Sequence, residues 1–441
     1  MRPTFSNIWK LSYPIVIGSF AQSIIAVSDT AFLGRVGQTE LAAIGFVSLI
    51  YMILFMIGFS YTKGTQIFAA RRIGEKRFDE VGKILDNSIY AVFCIAALLF
   101  LGIILGGQAT LTFLIQEGSV LQSSWEYVKM RSWGVFFGFI GSVFLSFYMG
   151  IGRTHIIVLF IMAMAAINIV FNYLFIFGNY GFPEMGIAGA ALASNLAEIL
   201  VSLFFVLHLI FSGLRKQFSA FSFVLPDKVL IKSISSLSTP IVLQSLVGLG
   251  GWLVFFTMIE NMGELELAAS SVLKSIYVVF GIPAWAFSSA ASTIISNLMG
   301  QQRQDQVLPA LGKIILFSLL LTSIMIGILL IFTDPIFYFY TPETEVVELA
   351  KSLTWTISLA LLIYAVSTVL FHGIVSTGST KQSLYIEIIT IVVYTAYIYI
   401  VIEVLQLSLQ VAWTSEWIYW ISLAFFGIIY LKKGDWRNKV I

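Results

Sequence analysis

Apolar runs long enough to cross a bilayer recur along the whole chain, and nothing else in the sequence restricts its fold as much. The first begins at Leu11 with LSYPIVIGSFAQSIIAVS and closes at Gly34. Reading between polar breaks gives twelve: 11–34, 41–69, 85–107, 131–152, 156–178, 186–211, 235–259, 267–298, 311–333, 351–376, 383–404 and 411–431. A helix needs about 20 apolar residues to span the hydrocarbon core. In lipid every backbone polar group must be satisfied within the chain, which favours helices for runs of this length. With 59% hydrophobic and 11% charged residues over 441 positions, the chain carries more apolar surface than a water-soluble fold can hide. The expectation is an all-α membrane protein of twelve transmembrane helices, with no soluble domain between them. MRPTFSNIWK leads into a run too long for a cleaved signal, so the first span reads as retained. Cys94 is the single cysteine; an internal disulfide is impossible, and the residue is expected to pack in its helix.

The basic residues orient the spans. The N-terminus, the even-numbered gaps and the C-terminus together hold 19 Lys and Arg, the odd gaps and adjoining helix ends hold 5, and Lys63 lies within the second span. The positive-inside rule then places both termini in the cytoplasm of a multi-pass protein of the cell (inner) membrane.

The chain also repeats itself. Shifted by 226 positions, LSYPIV at 11–16 meets LSTPIV at 237–242, GQTELAA at 37–43 meets GELELAA at 263–269, and GEKRFDEV at 74–81 meets GQQRQDQV at 300–307. Between 11–81 and 237–307, 17 of 71 columns are identical without a gap, many at turn residues. Six spans return the chain to its starting side, so the two repeats run parallel. The expected lobes are 1–215 and 235–441, joined by a cytoplasmic linker at 216–234. Such an architecture suits alternating access with substrate held between two bundles.

Several stretches carry a family resemblance: LSYPIVIG opening the first span, VSDTAFLGRVG closing it, ELAAIG opening the second, and NIVFNYLFIFGNYGFPEMGIAGAALAS across the fifth and sixth. In order and spacing the chain resembles MATE (multidrug and toxic compound extrusion) transporters over nearly its whole length, and GIAGAALASNLAE is more similar to the DinF branch than to the NorM branch. The resemblance implies two six-helix lobes and export of amphipathic, often cationic compounds driven by inward flow of protons or sodium.

Asp29 lies about 8 Å inside the end of the first span. Gln22, seven residues back, shares its helix face, so Asp29 continues a polar line; the plainer alternative is an interfacial aspartate, solvated or paired with Arg35. Asn168 and Asn172 are i and i+4 in the fifth span and share a face. Amides in an apolar helix are costly unless paired, which leaves interhelical bonding or a cluster with Asp29. In the resembled family, a first-span Asp and fifth-span polar residues at this spacing form a cation site, so Asp29, Asn168 and Asn172 are the candidate coupling residues. One carboxylate with amide oxygens can carry a proton or hold sodium. By the repeat offset these three map to Phe255, Tyr394 and Ile398. NorM-like members carry carboxylates on the seventh and tenth spans; here the seventh has none, and Tyr364 stands where the tenth-span acid would be. A single ion site in the N-terminal lobe is therefore expected, with protons favoured over sodium. Pro14 is either a hinge of the first span or a first-turn proline.

Glu198, with Ser194 and Asn195 a turn earlier, is either a second protonation or substrate site together with Asn195 and Gln22, or a buried hydrogen-bonded group. Lys63, Glu198 and Asp29 read as the only charges far from helix ends, which implies a mostly apolar cavity; Lys63 either pairs with an acid or snorkels to the cytoplasmic face. Glu387 is expected at the interface. Tyr51, Phe136, Phe137, Phe255, Phe287 and Tyr364 are candidate cavity aromatics, because aromatic faces attract organic cations. His155, His208 and His372 lack metal-ligand spacing, no GxxxxGK[ST] loop occurs, and no catalytic grouping is evident, so no cofactor, metal or enzymatic activity is expected. The leading expectation is an antiporter, monomeric among membrane lipid, that takes a small organic substrate and binds no nucleic acid. The alternatives are a lipid-linked precursor flippase of the wider superfamily, marked by a strongly charged cavity, and a non-transporting scaffold.

Overall fold

The computed structural model describes residues 2–115, 118–222, 225–439 and 441. Its helices are α1 (Phe5–Leu33), α2 (Gln38–Gly74), α3 (Phe78–Leu114), α4 (Gly118–Arg131), α5 (Gly134–Gly150), α6 (Thr154–Phe177), α7 (Gly186–Phe211), α8 (Leu214–Phe218), α9 (Lys228–Glu260), α10 (Glu264–Phe280), α11 (Ile282–Gly300), α12 (Val307–Ile331), α13 (Thr333–Tyr340), α14 (Thr344–Ser352), α15 (Thr354–Ser376), α16 (Thr380–Tyr399), α17 (Leu409–Trp413) and α18 (Ser415–Lys433). Among the described residues, ten helical stretches are long and apolar enough to cross a membrane, and two bent pairs, α4 with α5 and α10 with α11, bring the number to twelve. Several helices outrun their apolar stretch. α2 and α3 each have 37 residues because Arg71 and Arg72 suit the C-terminal end of one dipole, and Asp79 and Glu80 the N-terminal end of the next.

The main departure from expectation is the fourth span. It starts at Gly118 rather than at 131, and bends by 50° between α4 and α5. At the bend the Ser132 hydroxyl donates to the Lys129 carbonyl at 2.7 Å, a side-chain bond that competes with the helical ladder. Arg131, which the apolar run placed at a helix end, thereby lies inside the span. The bend of 44° between α10 and α11 falls at Gly281, just before Pro283, which has no N–H to give to a continuous helix.

By backbone contact the chain divides into one unit of Met1–Val16 with Thr239–Ile441 and another of Ile17–Ser238. The divisions fall after Val16, close to Pro14 in α1, and after Ser238, close to Pro240 in α9; the 226-residue repeat aligns these two prolines. Pro14 lies well inside α1, which excludes the first-turn reading. The repeat also governs turns: left-handed backbone occurs at Lys76 and Gln302 (φ 62° and 58°) and at Gly152 and Gly378 (φ 77° and 94°), each pair 226 apart.

In the unit 17–238, α2 packs on α5 through close backbone approaches. A Cβ on Gly58 would meet the Phe139 ring, and one on Gly150 would lie 2.8 Å from the Gln66 carbonyl, while Ser146 donates to Thr62 at 2.9 Å. Small residues and hydroxyls of this kind hold helices together where lipid removes the hydrophobic drive. The segment after α8 is tied to α3: Asp86 accepts from the backbone N–H groups of Phe221 (2.9 Å) and Ser222 (3.1 Å), and Asn87 from that of Asp227 (2.8 Å). The other unit centres on a core that includes Phe255, Leu273, Phe337, Ile357, Ile398 and Trp413. Cys94 is exposed on α3.

Candidate functional site

Five helices of the unit 17–238 enclose a cavity of about 380 Å³. α1 contributes Gln22, Ala26, Asp29 and Thr30, whose spacing puts them on one helical face. α2 adds Tyr51, Met52 and Phe55, α4 adds Tyr127 and Arg131, α6 adds Met164 and Asn168, and α7 adds Ser194, Ala197 and Glu198. A smaller space of about 90 Å³ shares Gln22, Phe55, Met164 and Glu198 and is lined further by Phe137, Gly138 and Ser202.

The candidate coupling residues meet in one wall. Asn172 Nδ2 donates to Asp29 Oδ1 at 2.5 Å and to Asn168 Oδ1 at 3.1 Å, and Asn168 Nδ2 donates to the Ser194 hydroxyl at 3.1 Å. Both asparagines are buried. Asn172 Oδ1 is buried with no hydrogen-bond partner among the described residues. Such an oxygen is costly and is available to a ligand. Asp29 makes no ion pair with Arg35 or any other described residue; its hydrogen-bond partner is the Asn172 amide, and Arg131 of the same cavity acts on it at longer range.

Arg131 is the charged cavity residue that the sequence reading missed. Its Nη1 donates to Glu198 Oε2 at 2.9 Å and to Asn195 Oδ1 at 2.6 Å, and its Nη2 to Glu198 Oε1 at 2.5 Å. The two-pronged pairing matches a planar guanidinium to a carboxylate. The same guanidinium lies over the Tyr51 ring, 4.1 Å from its centroid, and Asn195 donates in turn to the Met130 carbonyl at 2.8 Å. Gly134 leaves room for the group, since a Cβ there would overlap Arg131 Nη1 and Asn195 Oδ1. The cavity expected to be mostly apolar thus holds two carboxylates and one guanidinium. The signal in the sequence was the SWG step after Arg131, where a span bends rather than begins.

The remaining candidates scatter. Tyr51 and Phe137 line the two spaces, whereas Phe136 packs on Phe93 and Phe100 of α3, at ring-centroid distances of 5.3 and 5.4 Å. In the other unit, Phe255 is fully buried against Trp413 and Tyr394, and Phe287 is fully buried and stacked on Phe317. Phe255 and Phe287 thus fill a core, whereas Phe136 is half-buried. Tyr364 contacts Trp420 and Tyr277. Lys63 is buried, with Nζ 3.4 Å from Gln66 Oε1 and 5.0 Å from the Phe59 ring centre. Glu387, expected at the interface, is 2% exposed and accepts from the Tyr419 hydroxyl at 2.6 Å, because α16 begins two turns before it. Glu416, inside the last apolar run, is also 2% exposed. His208 shares a 2.7 Å hydrogen bond with Tyr148, and His372 sits on the Thr368 carbonyl of its own helix.

A family model, MatE, matches the chain twice, over residues 14–174 and 240–400, spans set apart by the same 226 residues as the internal repeat. A relative named "Probable multidrug resistance protein NorM" from Thermotoga maritima is 24% identical over 98% of this chain and 93% of its own length. The multidrug resistance protein MdtK of Yersinia pestis is 22% identical over 89% of this chain and 84% of its own. A solved structure described as an outward-facing multidrug resistance MATE family transporter of the MOP superfamily superposes with a TM-score of 0.91 at 18% identity, covering 100% of this chain and 98% of that one. A MOP superfamily transporter from Pyrococcus furiosus, described as having a binding pocket of reverse polarity, superposes with a TM-score of 0.89 at 18% identity, over 98% and 95% of the two chains.

Proposed function

The chain belongs to the MatE family, and on that premise we propose that it exports amphipathic organic cations in exchange for protons, with Asp29 as the coupling carboxylate. It is a multidrug efflux transporter of the MATE type and not an enzyme. The observation that carries the finer reading is the charge balance of the cavity. Glu198 is matched by Arg131 through two hydrogen bonds, which leaves Asp29 as the cavity carboxylate without an ion pair among the described residues. A proton on Asp29 removes that charge; an organic cation in the cavity compensates it. The two alternatives exclude each other, which is what exchange requires. Aromatic faces at Tyr51 and Phe55 and the flexible Met52 and Met164 suit varied apolar bodies.

Protons are favoured over sodium because Asn172 turns an N–H, not an oxygen, toward Asp29. Sodium needs a shell of oxygen atoms. Asn172 would have to turn its unpartnered Oδ1 into the cavity to supply one. The flippase reading loses ground on sign: two carboxylates against one guanidinium repel a lipid-linked phosphate. Pro14, beside the division between the contact units, is the position where α1 would bend as Asp29 changes charge. The relatives' names are of the NorM and MdtK type, and the DinF-like placement rests on GIAGAALASNLAE and Glu198. The basic-residue bias supports cytoplasmic termini in the cell membrane.

The test is efflux of a fluorescent organic cation from liposomes holding the purified protein. A pH gradient and a sodium gradient are imposed separately, on wild type and on Asp29→Asn. The proposal expects the pH gradient alone to drive efflux and the folded variant to lose it. Efflux driven only by sodium overturns proton coupling, and an Asp29→Asn variant that transports normally overturns the role of Asp29.

A further inference from the structure

Two carboxylates in the unit that contains residues 239–441 remain unexplained by any of the above. Glu416 of α18 and Glu387 of α16 are each 2% exposed. Neither makes an ion pair among the described residues. Glu416 Oε1 accepts from Trp252 Nε1 of α9 at 2.9 Å and from the Tyr394 hydroxyl of α16 at 3.3 Å. Its Oε2 accepts from Trp420 Nε1 at a longer 3.2 Å, and that N–H is shared with the Tyr277 hydroxyl of α10 at 2.7 Å, which also faces Glu416. Glu387 Oε1 accepts from Tyr419 at 2.6 Å, and Gly248 of α9 leaves it space, since a Cβ there would lie 3.1 Å from the same oxygen. The Tyr394 and Tyr419 rings are 5.6 Å apart, edge to face, so a run of phenols connects the two carboxylates. On α16, Thr390 lies between Glu387 and Tyr394, with a buried hydroxyl that has no hydrogen-bond partner among the described residues.

The position of this cluster is not arbitrary. By the 226-residue repeat Tyr394 corresponds to Asn168, Trp420 to Ser194 and Trp252 to Ala26, one turn before Asp29. The equivalents of the first, fifth and sixth spans therefore converge on a carboxylate in both units. In one unit it is carried by the first span, as Asp29; in the other by the last, as Glu416.

We propose that Glu416, with Glu387 as its second member, forms a proton-binding centre of the C-terminal unit, separate from the Asp29 site. The chemistry of the shell selects the proton. Indole N–H groups point at both Glu416 oxygens, and indoles have no lone pair for a metal ion, whereas sodium needs several oxygen ligands. A buried carboxylate with no cationic partner is neutralised by protonation. The three donors hold the anion once the proton leaves, and the weakly engaged Oε2 is the atom that takes it back. The titratable and charged groups facing the pair are Tyr394 and each other from α16 and α18, Tyr419 from α18, Tyr277 from α10 and, through Trp420, Tyr364 from α15. Lys274 of α10 stacks on Phe256, 4.9 Å from its centroid, and pairs with neither glutamate. The inference does not rest on the transport reading, and its experiment reads protonation directly.

The experiment is infrared difference spectroscopy of the full-length protein in liposomes, cycled between acidic and alkaline buffer. The band followed is the C=O stretch of a protonated carboxylic acid. The proposal expects a band that persists in Asp29→Asn, is lost or halved in Glu416→Gln, and falls further in Glu416→Gln/Glu387→Gln. Should Glu416→Gln fail to fold, Glu416→Asp in protein labelled with ¹³C at the glutamate carboxyl decides: the part of the band that belongs to residue 416 must stop shifting with the label. A band that ignores the glutamate label, or that Glu416→Gln leaves intact while Asp29→Asn removes it, overturns the proposal and makes Glu416 a permanently uncharged packing group.

Discussion

Breaking the Arg131–Glu198 pair tests the cavity more stringently than removing any other contact in it. The side chains are 7% and 15% exposed, so the pair behaves as a buried one. Removing a single partner from such a pair costs about 3–5 kcal/mol, mostly because the other charge is stranded. Arg131→Leu also removes the stacking on Tyr51, worth about 1–2 kcal/mol when desolvated, so about 4 kcal/mol is expected for it and about 3 kcal/mol for Glu198→Leu. The double variant strands no charge. It is expected to cost little more than the lost stacking on Tyr51, about 1–2 kcal/mol, well below Arg131→Leu alone, so the two single costs fall far short of adding. The assay is denaturant unfolding of the four proteins in detergent, followed by tryptophan fluorescence. Costs that simply add would refute the reasoning: Glu198 would then carry no charge held by Arg131, and Asp29 would lose its distinction as the unmatched carboxylate.

Two further substitutions probe how the unit is held. Gly134→Ala places a methyl group where Arg131 Nη1 and Asn195 Oδ1 now sit, and overpacking of this kind costs about 1–3 kcal/mol; a lowered melting temperature, partly restored by Asn195→Ala, is the expected result. Asp86→Ala leaves the Phe221 and Ser222 N–H groups without their acceptor, at about 1–3 kcal/mol for a buried one, so limited proteolysis between residues 219 and 227 should quicken while the spans stay intact, with Asp86→Asn intermediate.

The spans were legible because a bilayer sets one length for every crossing, and an apolar run of that length has few other uses. The turns were legible because the duplication repeats them: GEKRFDEV and GQQRQDQV take the same left-handed step at their third residues, Lys76 and Gln302. The fourth span was misread because hydropathy reports how apolar a stretch is, not where a helix starts. GSVLQSSWEYVKMR is polar enough to pass for a loop, yet it forms α4 and carries Tyr127 and Arg131 to the cavity wall. Asn168 and Asn172 could be paired beforehand because they share a helix face, and the family resemblance added Asp29; their exact pairing, and the orphaned Asn172 oxygen, depend on how α1 and α6 meet.

The second carboxylate centre was hidden by the very repeat that exposed so much else. Comparing the halves residue for residue puts Phe255 opposite Asp29 and Ile398 opposite Asn172, and both rows look like the loss of a polar site. Yet a duplication preserves which helices meet, not which of them bears the charge. At the centre of one unit α1, α6 and α7 converge, and at the centre of the other α9, α16 and α18; a carboxylate on any of three converging helices reaches the same space. Moving it from the first helix to the last left Phe255 free to become core, and let Trp252 and Tyr394 replace small or amide side chains as donors to the relocated group. The amide partners of Asp29 still offer oxygen atoms, whereas the indoles around Glu416 offer none. The two centres therefore differ in what they favour: the first keeps the option of a cation, and the indole-rich second favours a proton.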